Sequence, residues 1–394
     1  MSEWKEYRLG DITALVTKGT TPTTMGANFV NSGINFIKSE SVSYDGRIDK
    51  SKFVYIDNET HEKLKRSQLI EDDILFSMAG IFLGKNAIVT KDLLPANTNQ
   101  ALAIIRLKKE KAFPKYIHYF LRQPSIVDFV NNMSGQSAQP NINFEEIKSI
   151  DVLLPPLPKQ RAIASILSSL DDKIDLLHRQ NATLEKMAET LFRQWFVEEA
   201  KEEWEEIELG EVIETTSGGT PSRANMQFYE NGTIHWVKSK ELNGTFIFDS
   251  EEKITVEAMR LSSAKLLPKN SILIAMYGAT VGEYAIISKP MTCNQAVCVL
   301  KPNDNYPYSY LFLLVKSYKG ELVNMAVGSA QQNISQQIIK KIPVLNCVEK
   351  IGQFHSTISP YFEKIKTNQS QIRTLTQLRD TLLPKLMSGE IKVF

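Results

Sequence analysis

Histidines, cysteines and runs of acidic residues are the side chains that could do covalent or metal chemistry in this chain of 394 residues. His61, His118, His178, His235 and His355 are scattered, without metal-ligand spacing. Cys293, Cys298 and Cys347 form no CxxC pair, so neither a zinc site nor a disulfide framework is expected, and buried thiols are. Glu71-Asp72-Asp73 reads as a turn and Asp171-Asp172 as a solvated helix face. The sequence has no GxxxxGK[ST] loop, no GxGxxG after a strand, no HExxH and no GxSxG. An enzyme methylating an exocyclic amine should carry an Asn- or Asp-Pro-Pro-aromatic loop; the nearest string, NDNYPYSY from Asn303, does not match. The chain is therefore expected to have no catalytic residues and no metal of its own.

Composition is that of an ordinary globular protein, 42 % apolar and 23 % charged, and the length predicts two domains. The opening MSEWKEYRLG has neither a basic head nor an apolar run, and no apolar window is long enough to span a membrane, so a cytoplasmic protein is expected. A net charge of +1 means that any DNA-facing surface must come from local placement of Lys and Arg.

The elements that would position such a surface are written twice. Trp4 to Gly10 (WKEYRLG) returns as Trp204 to Gly210 (WEEIELG), 204 − 4 = 200 residues later. Gly19-Thr20 and Pro22 answer Gly219-Thr220-Pro221, INFIKSES from Ile34 answers IHWVKSKE from Ile234, and ILFSMAGIFLGKNAIV from Ile74 answers ILIAMYGATVGEYAII from Ile272. NQALAIIRLK from Asn99 pairs with NQAVCVLK from Asn294, and GQSAQPNI from Gly135 with GSAQQNI from Gly328. A repeat this long is a domain followed by a helix, not a solenoid unit. Each copy alternates short β-branched and aromatic runs with Gly, Asn and Pro, which predicts a mixed α+β domain. ILFSMAG and ALAIIRL read as buried strands, PKYIHYFLRQ and PYSYLFLLVKS as short helices, and Gly80 with Gly84 and Gly278 with Gly282 as turns.

After each domain the apolar positions step by four and three. The first series runs Ile163, Leu167, Leu170, Ile174, Leu177, Asn181, Leu184, Ala188, Leu191, Trp195. The second runs Phe354, Ile358, Tyr361, Ile365, Asn368, Ile372, Leu375, Arg379, Leu382, Leu386. Two matched seams predict that the helices pair with each other. The first helix carries the chain into the second domain, so the second must run back, and the pair is antiparallel. A helix over residues 160–197 would be roughly 57 Å long, more than one DNA turn of about 34 Å. Pro360 is expected to start or kink the second helix and Pro384 to disturb its last turns. With the offset 365 − 174 = 191, a two-fold near position 179 sets Asn368 opposite Asn181, a polar pair that would fix register.

The duplicated opening W…LG…GTTP and its echo W…LG…GGTP, the junction LLPPLPKQRAIASILSSLDDKIDLLHRQNATLEK and the closing LRDTLLPKLMSGEI resemble the specificity subunit of Type I restriction-modification systems, over essentially the whole chain. The second copy departs from the junction pattern, with IPVLNCVEKIGQF where Pro-Pro and Gln-Arg would stand. The resemblance implies an α+β fold of two pseudo-symmetric mixed α/β target recognition domains separated by an antiparallel two-helix coiled coil. The expected boundaries are 1–154 and 201–345 for the recognition domains, with 155–200 and 346–394 for the spacer helices. It implies that each domain reads one half of a split asymmetric site in double-stranded DNA. It implies scaffolding of two methyltransferase subunits acting on adenine N6, and of restriction subunits. S-adenosylmethionine, ATP and Mg would reside on those partners, and base flipping would occur in a partner's pocket.

On that reading Lys38-Ser39 and Lys238-Ser239, at matched strand ends, suit a sequence-independent clamp on the DNA backbone. Gln136, Gln139 and Asn141, with Gln331, Gln332 and Asn333, form a second matched set, and Lys18, Thr20, Arg223 and Lys240 extend the polar surface. Asn99-Gln100 and Asn294-Gln295 are expected to make structural hydrogen bonds. Base discrimination should lie where the copies differ: Arg47 and Lys50 against Asn243 and Thr245, Lys85 against Glu283, Phe82 against Thr280. Two alternatives stay open, a recognition subunit of a combined restriction-methylation enzyme and a purely protein-binding coiled-coil scaffold.

Overall fold

A computed structural model describes residues 4–80, 83–133, 140–327 and 332–393. The chain divides into two compact units, Met1–Lys173 with Leu375–Phe394, and Ile174–Thr374. Among the described residues no helix is long and apolar enough to cross a membrane.

Both units follow one plan. In the first, an antiparallel sheet has the order Thr13–Lys18, Leu102–Leu107, Ile74–Ser77, Asn86–Ile88. A second, mixed sheet has the order Val54–Ile56, Ile34–Ile37, Ala96–Thr98. The second unit repeats both, with Glu214–Ser217, Val297–Lys301, Ile272–Ala275, Tyr284–Ile287 and an added edge strand Phe246–Ile247 in one sheet, and Glu252–Ile254, Ile234–Val237, Thr292–Cys293 in the other. The strand ILFS explains why the sheet is covered on both sides. Its successive side chains alternate faces, so Ile74 and Phe76 join one core and Leu75 another, and Ile272 with Ile274 and Leu273 with Ala275 do the same. The expected short helix at PKYIHYFL is Pro114–Leu121, but its counterpart extends to Tyr308–Val327.

The two long helices are Leu157–Arg193, followed by a π-helical turn at Gln194–Glu198, and Val348–Met387. Pro360 neither starts nor ends the second helix, and Pro384 lies inside it. Both prolines are exposed, while the neighbours Ile358, Phe362, Leu383 and Leu386 are buried, so the seam holds the helix through the missing backbone bonds. Within each unit the helices run antiparallel. In the second unit Asn368 Nδ2 donates to Asn181 Oδ1 at 2.8 Å, and Trp195 and Phe196 stack on Phe354 at 5.6 and 5.0 Å. In the first, Ile163 and Leu167 share a core with Leu383 and Leu386, whereas Asp171 meets Arg379. The second helix also grips the added edge strand at both ends: Gln369 donates to Thr245 before it, and after it Arg373 stacks on Phe248 at 5.4 Å and pairs with Asp249 at 3.3 Å.

Polar groups at the junction motif are structural. Gln160 is buried; its Oε1 accepts from the Phe113 N–H at 2.7 Å and its Nε2 donates to the Pro155 carbonyl at 2.8 Å. Arg161 lies 4.8 Å over the Phe113 ring. With the offset of 191, Gln160 corresponds to Ile351, which is fully buried, so an apolar side chain takes the place of the glutamine in the second copy. Replacing Gln160 by Leu strands a backbone donor and acceptor, and should lower the stability of the first unit by at least about 2 kcal/mol in urea unfolding.

His118, buried beside Asn86 with Nδ1 2.8 Å from Oδ1, is held neutral: burial, helped by Arg122, lowers its pKa from 6.5 to about 3. Between those values the unfolded chain binds a proton that the native chain refuses, so this contribution is complete above pH 6.5 and is lost as the pH falls toward 3. The urea midpoint of the first unit should drop between pH 7 and pH 5, and His118→Leu should flatten that slope.

Candidate nucleic-acid interface

The Lys-Ser pairs sit on one local scaffold in both units. Ile34–Ile37 and Ile234–Val237 each end at a lysine, and a 3-10 turn follows, Ser39–Ser41 and Ser239–Glu241. The Lys38 carbonyl accepts from Ser41 N at 3.0 Å and the Lys238 carbonyl from Glu241 N at 2.9 Å. Beneath them lie edge-on aromatic pairs, Phe29 with Phe36 at 5.3 Å and Tyr229 with Trp236 at 5.9 Å. Lys38 stands 5.2 Å over Phe29, and Arg223 stands 4.2 Å over Tyr229 and 5.0 Å over Trp236. Offset by 200 residues, Phe29 and Tyr229 were readable as a repeat, and sequence reasoning missed them.

Charge differs where the backbone agrees. Lys38 pairs loosely with Glu40, at 3.7 Å. In the second unit Glu251 and Glu252 gather three cations: Arg223 and Lys238 on Glu252, Lys240 on Glu251 at 2.6 Å. Hydrogen bonding from Arg223 is the main reason the Glu252 carboxyl is held down to about 2. The first unit has Phe53 and Val54 at the matching strand positions and no such carboxylates.

A second matched device joins the glycine-threonine segments to the Asn-Gln pairs. A side chain on Gly19 would sit 2.0 Å from the Thr98 carbonyl, and one on Gly218 would sit 2.3 Å from that of Asn294, so only glycine fits either place. Thr21 donates to Gln100 and Thr220 to Gln295. The structural equivalent of Thr220 is therefore Thr21, not Thr20, and GTTP aligns with GGTP without a gap. Thr20 instead matches Gly219; their N–H groups donate to Thr98 and Cys293 carbonyls at 3.0 and 2.9 Å. Asn99 and Asn294 each bury an Oδ1 that has no hydrogen-bond partner among the described residues, so the side-chain hydrogen bonds of these pairs are made by Gln100 and Gln295. Lys18 ends the strand just before Gly19, half-buried.

The glycine turns receive the Gln-rich segments. Gly80, Gly84, Gly278 and Gly282 all have positive φ. Ala79 bridges Asn141, Tyr277 bridges Asn333, and the Gly80 and Gly278 N–H groups donate to Pro140 and Gln332 at 2.8 and 2.9 Å. Gln136, Gln139, Gln331 and Phe82 lie outside the described residues. Lys85 stands 4.7 Å over the Tyr44 ring, its ammonium pKa lowered by burial and then by Lys52, whereas Glu283 in the other copy holds Lys319 at 2.7 Å. Arg47 pairs with Asp45 at 3.2 Å and Lys50 with Asp92 at 2.5 Å. Thr280 is half-buried, its hydroxyl donating to the Tyr277 carbonyl at 3.2 Å, and Thr245 is engaged by Gln369.

The acidic runs have structural roles. Asp72 has positive φ, as a turn requires, and buried Asp73 accepts from Arg106 Nε and Nη2 at 2.7 and 2.8 Å. Asp171 is not on a solvated face: it accepts from Arg122, Tyr119 and Arg379. The seam holds Arg379 buried, and a buried guanidinium requires a carboxylate, which is the signal that would have located Asp171. Cys293, Cys298 and Cys347 are buried free thiols, with burial raising their pKa values. Among the described residues no group of three or more His, Cys, Asp or Glu could hold a metal ion.

Twin mixed α/β units, each carrying the same lysine turn and each tied to one stretch of an antiparallel helix pair, define a class of duplicated recognition proteins. The family model described as Type I restriction modification DNA specificity domain matches residues 1–186 and again 201–374. The chain belongs to this family, the specificity subunits of Type I restriction-modification systems. It is 25 % identical to the MjaIX specificity subunit of Methanocaldococcus jannaschii, over 99 % of this chain and 94 % of that protein. It is 24 % identical to the HindI specificity subunit of Haemophilus influenzae, over 99 % and 100 %. A crystal structure of a Type I S subunit from M. genitalium superposes with a TM-score of 0.64 at 17 % identity, covering 97 % of this chain and 96 % of that one, and shares the fold.

The carboxyl of Glu252 should titrate near pH 2 by NMR, and Arg223→Gln should move that titration upward toward the ordinary glutamate range.

Proposed function

We propose that this specificity subunit reads a split, asymmetric sequence in double-stranded DNA, one half-site with each recognition domain, and performs no catalytic step itself. The domains are 1–154 and 201–345, with 155–200 and 346–394 as the helices that engage partners. The partners are two methyltransferase subunits, which act on adenine N6 with S-adenosylmethionine, and restriction subunits that use ATP and Mg. The complex works in the cytoplasm. The observation that carries this reading is the repetition, at equivalent positions in both units, of a lysine-serine turn on an aromatic pair.

In this reading Lys38, Ser39, Lys238 and Ser239 grip phosphates without regard to sequence, and Lys18, Thr20, Arg223 and Lys240 add to the same surface. Asn141, Gln332 and Asn333, beside the glycine turns, contact the DNA as well, and Gln136, Gln139 and Gln331 are assigned to the same set. Arg47 and Lys85 belong to the set that differs between copies and therefore reads bases. Exposed ion pairs contribute little to stability, so Lys240 can be handed from Glu251 to a phosphate at small cost, whereas half-buried Lys238 is held more firmly by Glu252.

The deciding experiment is to co-express the chain with its neighbouring methyltransferase subunit in a methylation-deficient host and map N6-methyladenine by single-molecule sequencing. A split motif methylated on both strands, and absent without this chain, is expected; a soluble complex that methylates nothing would overturn the proposal. For the purified complex, Lys38→Ala with Lys238→Ala should weaken binding to all sequences alike and reduce the logarithmic salt slope by about 2, at roughly 0.9 per phosphate contact.

A further inference from the structure

Within the first unit one carboxylate joins three chain segments. Asp171 Oδ1 accepts from Arg379 Nη1 on the second long helix at 2.7 Å. Its Oδ2 accepts from Arg122 Nη1 at 2.9 Å and from the Tyr119 hydroxyl at 2.8 Å, both at the end of the helix Pro114–Leu121. The two guanidiniums are almost fully enclosed, with side-chain exposures of 4 % for Arg122 and 7 % for Arg379. Burial alone would raise the Asp171 pKa, but the arginines outweigh it and the carboxyl stays ionised.

The second unit has nothing like this at the equivalent place. By the offset of 191, Asp171 corresponds to Phe362 and Arg379 to Ala188 (362 − 171 = 379 − 188 = 191). Phe362 and Ala188 lie in one apolar core, and Phe362 stacks edge-on against Phe312 at 5.6 Å. The symmetric helix pair is thus marked at one end by charge, and along the seam by the asparagine pair.

We infer that these polar contacts make the seam of each helix select the other helix of the same chain and reject its own kind. A pseudo-symmetric pair has an obvious competitor, two first helices or two second helices from separate copies meeting about the same two-fold. In the register of the structure, first helices so paired would set Asp171 against Ala188 of the second copy and Asn181 against Leu177. Second helices would set Arg379 against Phe362 and Asn368 against Ile372. Every apolar seam contact would survive in kind, but Asp171 would lose Arg379 and keep only Arg122 and Tyr119, Arg379 would keep only its neighbour Asp380 and face an aromatic ring, and each asparagine would face a branched apolar side chain. Discrimination therefore comes from buried polar groups that lose their partners across the seam in the wrong complex.

The test begins with the full chain. A protease site placed in the exposed stretch 199–203 is cut after folding, and nicked protein is mixed with an equal amount of a copy carrying different mass tags on both of its fragments. Native mass spectrometry then counts fragment pairs, with tagged first fragments on untagged second fragments proving that exchange has occurred. The expected result is an excess of unlike over like pairs of about tenfold or more, beyond the equal split that chance gives. Replacing the whole ionic cluster with Asp171→Leu, Arg379→Leu and Arg122→Met should cut that excess, since an apolar replacement of a buried ion pair usually keeps the fold. Should that variant fail to melt cooperatively, Asn181→Leu with Asn368→Leu provides the comparison on an otherwise intact seam. A chance distribution in the unaltered nicked protein overturns the inference, as does an unchanged excess in either folded variant.

Discussion

The seam between the two long helices is the constraint on which everything else depends. Helices of 37 and 40 residues with buried stripes at steps of four and three cannot stay dissolved singly, and each stripe needs a partner of matching length. Once they pair antiparallel, the register is set by the polar positions: Asn181 against Asn368 in one unit, Asp171 against Arg379 in the other. The sheets are then fastened to this pair from the side. Ile163 and Leu167 enter the same core as Ile74 and Phe76, and Phe354 and Ile358 the same core as Ile272 and Ile274.

Duplication has preserved backbone devices and released side-chain charge. Gly19 and Gly218 pack against carbonyls in the same way, and the threonine-glutamine clasp recurs. Both are demanded by close chain approach, which leaves no freedom to vary. The cationic surface above them is under no such demand. Lys38 has one distant carboxylate, while its counterpart Lys238 shares a ladder of glutamates with Arg223 and Lys240. Two copies of one fold thus present different electrostatic faces, as two readers of different sequences must.

Much of the architecture was legible because it depends on periodicity. The buried strand at Ile74, the paired seams and the opposed asparagines follow from spacing alone. What failed to read through involved competition between local and tertiary effects. Pro360 signals a helix boundary locally, yet the buried residues around it carry the helix onward. Asp171 looks like a surface acid beside Asp172 because its arginines come from positions 122 and 379, remote in sequence. The alignment of Thr20 with Thr220 followed letter identity, whereas hydrogen bonding equates Thr21 with Thr220. At the candidate interface the lysine turns were visible as repeated words, but the glutamates that hold the second set lie on a neighbouring strand, and pairing between strands is invisible without the register.

The grip of the second helix on the added edge strand has a meaning for how such a protein can change over generations. Gln369 and Arg373 reach Thr245, Phe248 and Asp249, which flank a strand that has no counterpart in the first unit's sheet. A recognition domain imported as a block between 201 and 345 would arrive with other residues there, facing a helix shaped for these. Inheritance of new DNA targets by wholesale domain exchange is therefore easiest when the donor's residues suit the resident helix both in the core around Phe354 and Ile358 and at this patch, and the patch acts as one compatibility filter on the sequences the protein can acquire.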